Sequence, residues 1–264
     1  TLSSSVSTNQ QYRSGLALSN GLGKVNLSLN LNFSDRERDA RNSRSRISDI
    51  LNYTQSGDNL FDGQVKSIKG GIDWFLDEKN EFSFSGGYTD NSHDIINTTR
   101  IVEDAANYQF LSDNRHEHLS AEYNVNYRRS FRNKNHYLEA EFHFTDNRND
   151  LSADYQAGNE FRDDFLEYDS KVSNFSLDYV QSFSNGLIME NGVLYTIKDV
   201  SNDQVINDYD GINQQNRFVF DENNLGLYTL IKKEWGDLKG QFGVRYEGFW
   251  SESQFENTEL QVNR

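Results

Sequence analysis

Residues 24–34 read Lys-Val-Asn-Leu-Ser-Leu-Asn-Leu-Asn-Phe-Ser, and their unbroken alternation decides the fold. Val25, Leu27, Leu29, Leu31 and Phe33 share one parity, while Lys24, Asn26, Ser28, Asn30, Asn32 and Ser34 share the other. A helix would scatter the five apolar side chains around its axis; a strand lines them up on one face. Residues 118–131 repeat the pattern, setting Leu119, Ala121, Tyr123, Val125, Tyr127 and Phe131 against His118, Ser120, Glu122, Asn124, Asn126, Arg128 and Ser130. Residues 238–250 do so again, with Leu238, Phe242, Val244, Tyr246 and Trp250 opposed by Lys239, Gln241, Arg245 and Glu247. Weaker versions at 11–19, 64–76, 81–89, 136–144, 171–183, 187–198 and 225–235 bring the total to about ten strands. In 225–235 the parity is divided, since Leu227 and Ile231 compete with Tyr228 and Leu230 for the same face.

The connections fall into two classes. Asn20-Gly21-Leu22-Gly23, Asp77-Glu78-Lys79-Asn80, Arg132-Asn133-Lys134-Asn135, Ser184-Asn185-Gly186 and Gly236-Asp237 are short and rich in residues that close tight hairpins. Between them lie long polar segments near 35–63, 90–117, 145–170, 199–217 and after 251. Short turns on one side and long loops on the other are the asymmetry of outer-membrane barrels, with the turns periplasmic and the loops extracellular.

Composition agrees. The chain is 35% hydrophobic with a net charge of −15, too polar for a thick core, yet its 14 Tyr, 18 Phe and 3 Trp exceed what a solvated tail needs. A membrane barrel uses few apolar residues, because only alternate strand positions face lipid. No run approaches the ~18 apolar residues of a membrane helix. The absence of Cys excludes disulfides and Cys-ligated zinc, and the acidic balance argues against nucleic acid.

The polar parity carries Lys69, Asp73, Glu81, Glu122, Arg128, Glu139, Glu141, Asp178, Glu190, Lys232, Lys239, Arg245 and Glu247. Charges this dense cannot fill a small dry core. They can line a wide aqueous lumen; the alternative is a soluble sandwich with that face in bulk water. Trp74, Phe75, Phe131, Phe183 and Trp235 lie near the short turns, and Tyr88, Phe144, Phe249 and Trp250 toward the long segments. Two such bands are expected of membrane-interface girdles, although strands favour aromatics in any setting.

With the short turns periplasmic, the strand at 11–19 runs inward and that at 238–250 outward, which puts both ends outside the cell. The expectation is an antiparallel, all-β, up-and-down transmembrane segment drawn from a longer barrel, since an open sheet in lipid leaves two edges unpaired.

Several stretches resemble a family. Gly71-Ile72-Asp73-Trp74-Phe75-Leu76-Asp77-Glu78-Lys79-Asn80-Glu81-Phe82-Ser83-Phe84-Ser85-Gly86 is similar to a recurring hairpin of the TonB-dependent outer-membrane receptors, in their "outer membrane protein beta-barrel family" version. Ser130–Leu138 resembles the next hairpin, and Asn224–Tyr228 with Gly240–Glu247 its most recognisable barrel stretch. The resemblance implies a barrel of roughly 22 strands in the outer membrane of a Gram-negative bacterium. It also implies an N-terminal plug, energisation by the TonB complex and import of a scarce or bulky nutrient. Neither plug nor TonB-box segment is recognisable in 1–264, which read as one barrel segment. The partners implied are membrane lipid and lipopolysaccharide, the rest of the barrel and its plug, TonB, and a surface lipoprotein. A surface barrel that binds partners without transport is the alternative, and a rim-bearing barrel enzyme a third reading.

Few motifs suggest chemistry. Arg36, Arg38, Arg41, Arg44 and Arg46 crowd one polar stretch and could pair with lipopolysaccharide phosphates, or form a solvated mixed-charge loop. Asp208 and Asp210, in Asn207-Asp208-Tyr209-Asp210-Gly211, place oxygens at alternate positions as a calcium (Ca) loop does, without the Glu that completes one; a solvated turn fits better. His116 and His118 share a parity, half of a metal site, but ordinary polarity explains them. No nucleophile elbow or phosphate loop is present, so no enzyme is expected. The native polypeptide is expected to be well above the 30.6 kDa of this chain; mass spectrometry of the protein extracted from its membrane checks this.

Overall fold

The strands follow one another across a single antiparallel sheet, each paired with its neighbour in chain order. They are β1 (Leu2–Ser7), β2 (Gln11–Leu22), β3 (Val25–Ile47), β4 (Asn52–Phe75), β5 (Asn80–Glu103), β6 (Ala106–Ser130), β7 (Tyr137–Ala157), β8 (Glu160–Ser182), β9 (Leu187–Asn207), β10 (Ile212–Trp235) and β11 (Leu238–Gln261). This computed structural model describes residues 2–7, 11–47, 52–103, 106–131, 135–208, 212–236 and 238–261. Among them β1 and β11 each have one neighbour.

Eleven strands replace the expected ten. The extra one, β1, is Leu-Ser-Ser-Ser-Val-Ser, too polar and too short to announce itself. It runs outward beside β2, with Leu2 opposite Leu16, so the chain's residue-2 end lies against the lower half of the sheet rather than outside it. The larger correction concerns the long loops. The segments near 35–63, 90–117, 145–170, 199–217 and after 251 are sheet nearly throughout: Asp35 to Ile47, for example, pairs without interruption with Asn52 to Gln64. Strands of 21 to 25 residues result, where ~9–11 suffice to cross lipid. Alternation fails there because both faces meet water, so the one sequence signal of a strand is lost although the ladder continues.

The short turns fall close to the expected places. Asp77 organises one of them. Its Oδ1 accepts from the backbone N–H groups of Lys79 (2.8 Å) and Asn80 (2.9 Å); the Lys79 bond first, and then the Asn80 side-chain amide at 2.7–2.8 Å, hold its carboxyl below the usual range. Gly23, Gly186 and Gly236 sit at positive φ in three others, a conformation that costs glycine nothing.

Register fixes the tilt. One continuous row runs Leu22, Val25, Trp74, Phe82, Tyr127, Ala140, Leu177, Val193, Leu227, Tyr246. Across successive short turns the two flanking members of this row are 3, 8, 13, 16 and 19 positions apart. Half the growth from 3 to 19 is 8 residues over eight strand steps, a drift of one residue per strand. At ~3.3 Å along a strand and ~4.8 Å across, that drift is a tilt of roughly 35°, within the range of membrane barrels.

The same register sorts the two faces. Leu27, Ile72, Phe84, Val125, Phe142, Phe175, Tyr195 and Leu225 form one apolar row. The apolar band stops abruptly outward. Beyond Phe33, Tyr88, Phe144, Ile197 and Trp250, the next residues of the same parity are Asp35, Asp90, Asp146, Asp199 and Glu252. The band is therefore about 7–13 residues tall on each strand, close to the ~25 Å that a tilted strand presents to hydrocarbon. The parity of 225–235 is settled too: Leu227 and Ile231 join the apolar face, and Tyr228 and Leu230 the polar one.

Nothing in the sheet resembles a soluble core. Among the described residues only Ala153, Val180 and Val200 are buried hydrophobics, whereas Phe175, Leu177 and Tyr246 stay 46%, 46% and 61% exposed. A sandwich would cover that face with a second sheet. Here a solvent that is itself apolar must cover it. Phe142→Arg, at the middle of the apolar face, is expected to cost about 2–4 kcal/mol of folding free energy in lipid vesicles. Asn126→Arg, at the same depth on the polar face, should cost little. Denaturant titration of the two variants in phospholipid vesicles checks the difference.

Candidate functional site

The polar face is built from the strand residues that lipid does not claim. All thirteen charged residues assigned to it by parity lie on one side of the sheet. One row reads Glu81, Arg128, Glu139, Asp178, Gly192, Tyr228, Arg245. It sits one residue along from the apolar row Phe82, Tyr127, Ala140, Leu177, so charge lies at the depth of the lipid-facing band.

These groups pair laterally. Lys69 Nζ donates to Glu122 Oε1 at 2.6 Å, reaching across Gly87 on the strand between. Lys232 Nζ meets Glu190 Oε1 at 2.6 Å. Asn124 and Asn126 donate to Glu141 (2.7 Å) and Glu139 (2.9 Å). The Tyr228 hydroxyl donates to Asp178 Oδ1 at 2.6 Å over Gly192, where a Cβ would overlap both the Tyr228 ring and the Asp178 carboxylate. The ion pairs are half-exposed and contribute little individually. Their count decides more: eight acids (Asp73, Glu81, Glu122, Glu139, Glu141, Asp178, Glu190, Glu247) face five bases, an excess that favours cations over anions along this surface.

Further out, the same face carries a stack across four strands. The Arg36 guanidinium lies 5.4 Å from the Phe61 ring centroid. Phe61 stacks on His93 at 5.3 Å, and His93 on His116 at 4.7 Å with the planes 8° apart. Burial lowers the His93 pKa first, and the neighbouring His116 lowers it further. His116 and His118 thus have separate partners, since His118 Nδ1 faces Asn149 Oδ1 at 2.6 Å. Among the described residues no group of three or more His, Asp or Glu is arranged to hold a metal.

The remaining expected residues are placed as follows. Trp74, Tyr88, Phe144, Trp235 and Trp250 lie on the apolar face, and Phe131 and Phe183 are at the short-turn ends of β6 and β8. Phe75 and Phe249 fall on the polar parity, opposite Glu81 and Asn224. The arginines divide between faces: Arg36, Arg38 and Arg44 share the polar parity, whereas Arg41 takes the other and is held by Asp58 at 2.6 Å. Arg46 is in β3, its backbone paired with that of Tyr53. Asp208 ends beside Arg162, and Asp210 lies outside the described residues.

The fold and the two faces define a transmembrane β-sheet of outer-membrane type. Residues 129–264, just over half of the chain, match the outer membrane protein beta-barrel family, and the chain belongs to that family. Its location is the outer membrane of a Gram-negative bacterium. No curated protein matches it. Among solved structures it is similar to the ferric yersiniabactin uptake receptor FyuA from Yersinia pestis, with 8% identity over 92% of this chain and 53% of that one, at a TM-score of 0.34. It is similar to the ferric citrate transporter FecA, with 10% identity over 96% and 52%, at 0.34. It is also similar to the RagAB peptide importer, with 8% identity over 96% and 51%, at 0.31. The chain spans about half the length of each.

The His93 stack gives a pH prediction. A lowered pKa means that the folded state resists protonation. Stability contributed by the stack is therefore full above the ordinary histidine pKa of about 6.5, and it is lost as pH falls below that value. Hydrogen exchange at the outer ends of β5 and β6, corrected for intrinsic rates, is expected to accelerate on acidification. His93→Asn should flatten that dependence. Separately, Gly192→Ala is expected to cost about 1–3 kcal/mol by overpacking Tyr228, measured by denaturant titration in vesicles.

Proposed function

We propose that this chain is part of the closed barrel of a TonB-dependent receptor that imports a scarce or bulky solute. The supporting observation is the row Glu81, Arg128, Glu139, Asp178 at the depth of the lipid-facing aromatics. Ionised groups there need water beside them, and only a wide lumen supplies it at that depth. Among the described residues β1 and β11 each leave one edge without a neighbour, which supports closure by further strands, because an unsatisfied backbone group in hydrocarbon costs several kcal/mol. The hairpin Gly71–Gly86 and the stretch Gly240–Glu247, which resemble TonB-dependent receptors, support the coupling. A plug, the TonB complex and a surface lipoprotein would be its partners. The protein would do its work by binding and passage rather than by bond chemistry.

The second reading is a surface barrel that binds a partner and imports nothing. It is favoured by the outward extension of the β3–β4, β5–β6, β7–β8 and β9–β10 hairpins, which presents sheet on both faces to water. Cells carrying the full-length protein and grown with and without a functional TonB complex separate the two. The importer predicts accumulation of bound solute that disappears without TonB while surface binding persists. Binding that is never followed by accumulation supports the second reading and overturns the first.

A further inference from the structure

The β7–β8 hairpin, which sequence alone reads as loop, builds a cavity at the outer rim of the polar face. Its volume is about 450 Å³, within the ~300–1,000 Å³ usual for small-molecule sites. Two rings form one side: Phe110 from β6 and Tyr155 from β7, with centroids 5.9 Å apart and planes at 31°. Phe161 lies at the tip, 56% exposed and on the opposite parity from Glu160 and Arg162.

The cavity already holds one cation, and it belongs to the protein. Arg162 is the cross-strand partner of Tyr155, and its guanidinium lies 6.0 Å from that ring's centroid. Arg162 also forks onto Asp164, with Nε to Oδ1 at 2.7 Å and Nη2 to Oδ2 at 2.8 Å. That hydrogen bonding, reinforced by the charges of Asp164 and Asp208, raises the Arg162 pKa. A guanidinium on an aromatic face, clamped by a carboxylate, is thus what this wall stabilises.

Charge counting then decides the ligand class. Asp164 neutralises Arg162. Glu160 and Asp208 also line the cavity, so its described lining carries three carboxylates and one guanidinium. Among the described residues Glu160 has no ion-pair partner. An anionic ligand would meet repulsion, and the one guanidinium among the described lining residues is engaged. A neutral polyol would leave the Glu160 carboxylate unanswered. A second cation, resting on the Phe110 ring and facing Glu160, answers both the aromatic and the ionic surfaces.

We propose that this rim cavity is a binding site for an organic cation carrying amine or guanidinium groups, such as a short basic peptide. The site rests on the local geometry alone and does not require import. The test is binding of dilysine amide, diglutamate and maltose, probes of similar size, to the purified full-length protein in detergent, read by calorimetry. Dilysine amide should bind saturably, and the other two should not. Its affinity should fall at least about ten-fold between low and high salt, as a contact of a cation with the acidic lining requires. Tyr155→Ala and Glu160→Gln should each weaken it about ten-fold with the thermal transition unchanged; if the first fails to fold, the second alone carries the comparison. No saturable binding of dilysine amide overturns the site. So does binding unaltered by Glu160→Gln, or a preference for maltose or diglutamate. Uptake by cells is measured separately, so an inactive importer with an intact site remains distinguishable from an importer without one.

Discussion

Everything in this structure follows from one constraint: in hydrocarbon, a backbone N–H or C=O has no partner except another backbone group. That requirement forces the ladder, and the ladder forces alternation. Every residue that lipid takes on one side hands its neighbour to the other side. The acidic face at membrane depth is therefore a by-product of the apolar one, and water must accompany it. Polar bridges such as Tyr228 to Asp178 over Gly192 then order the wet face sideways, strand to strand. They do not fill it as a core would.

Sequence legibility follows the same boundary. Where one side is lipid and the other water, alternation is sharp, and β3 from Val25 to Phe33 is readable residue by residue. Where both sides are water, the ladder persists and the pattern disappears. Asp35 to Ile47 therefore reads as a charged loop, though it is strand. The short turns were legible from their Gly, Asn and Asp. The divided parity of 225–235 was not, because Tyr228 hides its polar use in a hydroxyl that finds its partner two strands away.

The sites were less readable than the fold. No local spacing joins His93 to His116, its stacking partner, which is 23 positions away and adjacent only through register. Arg36 to Arg44 read as one basic cluster, but the pleat sends Arg41 to the face opposite Arg36, Arg38 and Arg44. The rim cavity combines residues from three strands and the end of a fourth, all in segments without periodicity. Pairing register is the missing information in each case, and no local spacing encodes it.

The continued ladder above the band has a mechanical consequence. From Asp146, where the apolar face of β7 ends, to Ala157 at the tip is eleven residues, which at the inferred tilt is roughly 30 Å of rise. The hairpins form a stiff palisade standing clear of the bilayer, where disordered loops would have to collapse around each arriving molecule. A recognition surface held on such a scaffold pays its ordering entropy during folding, once, instead of at every encounter.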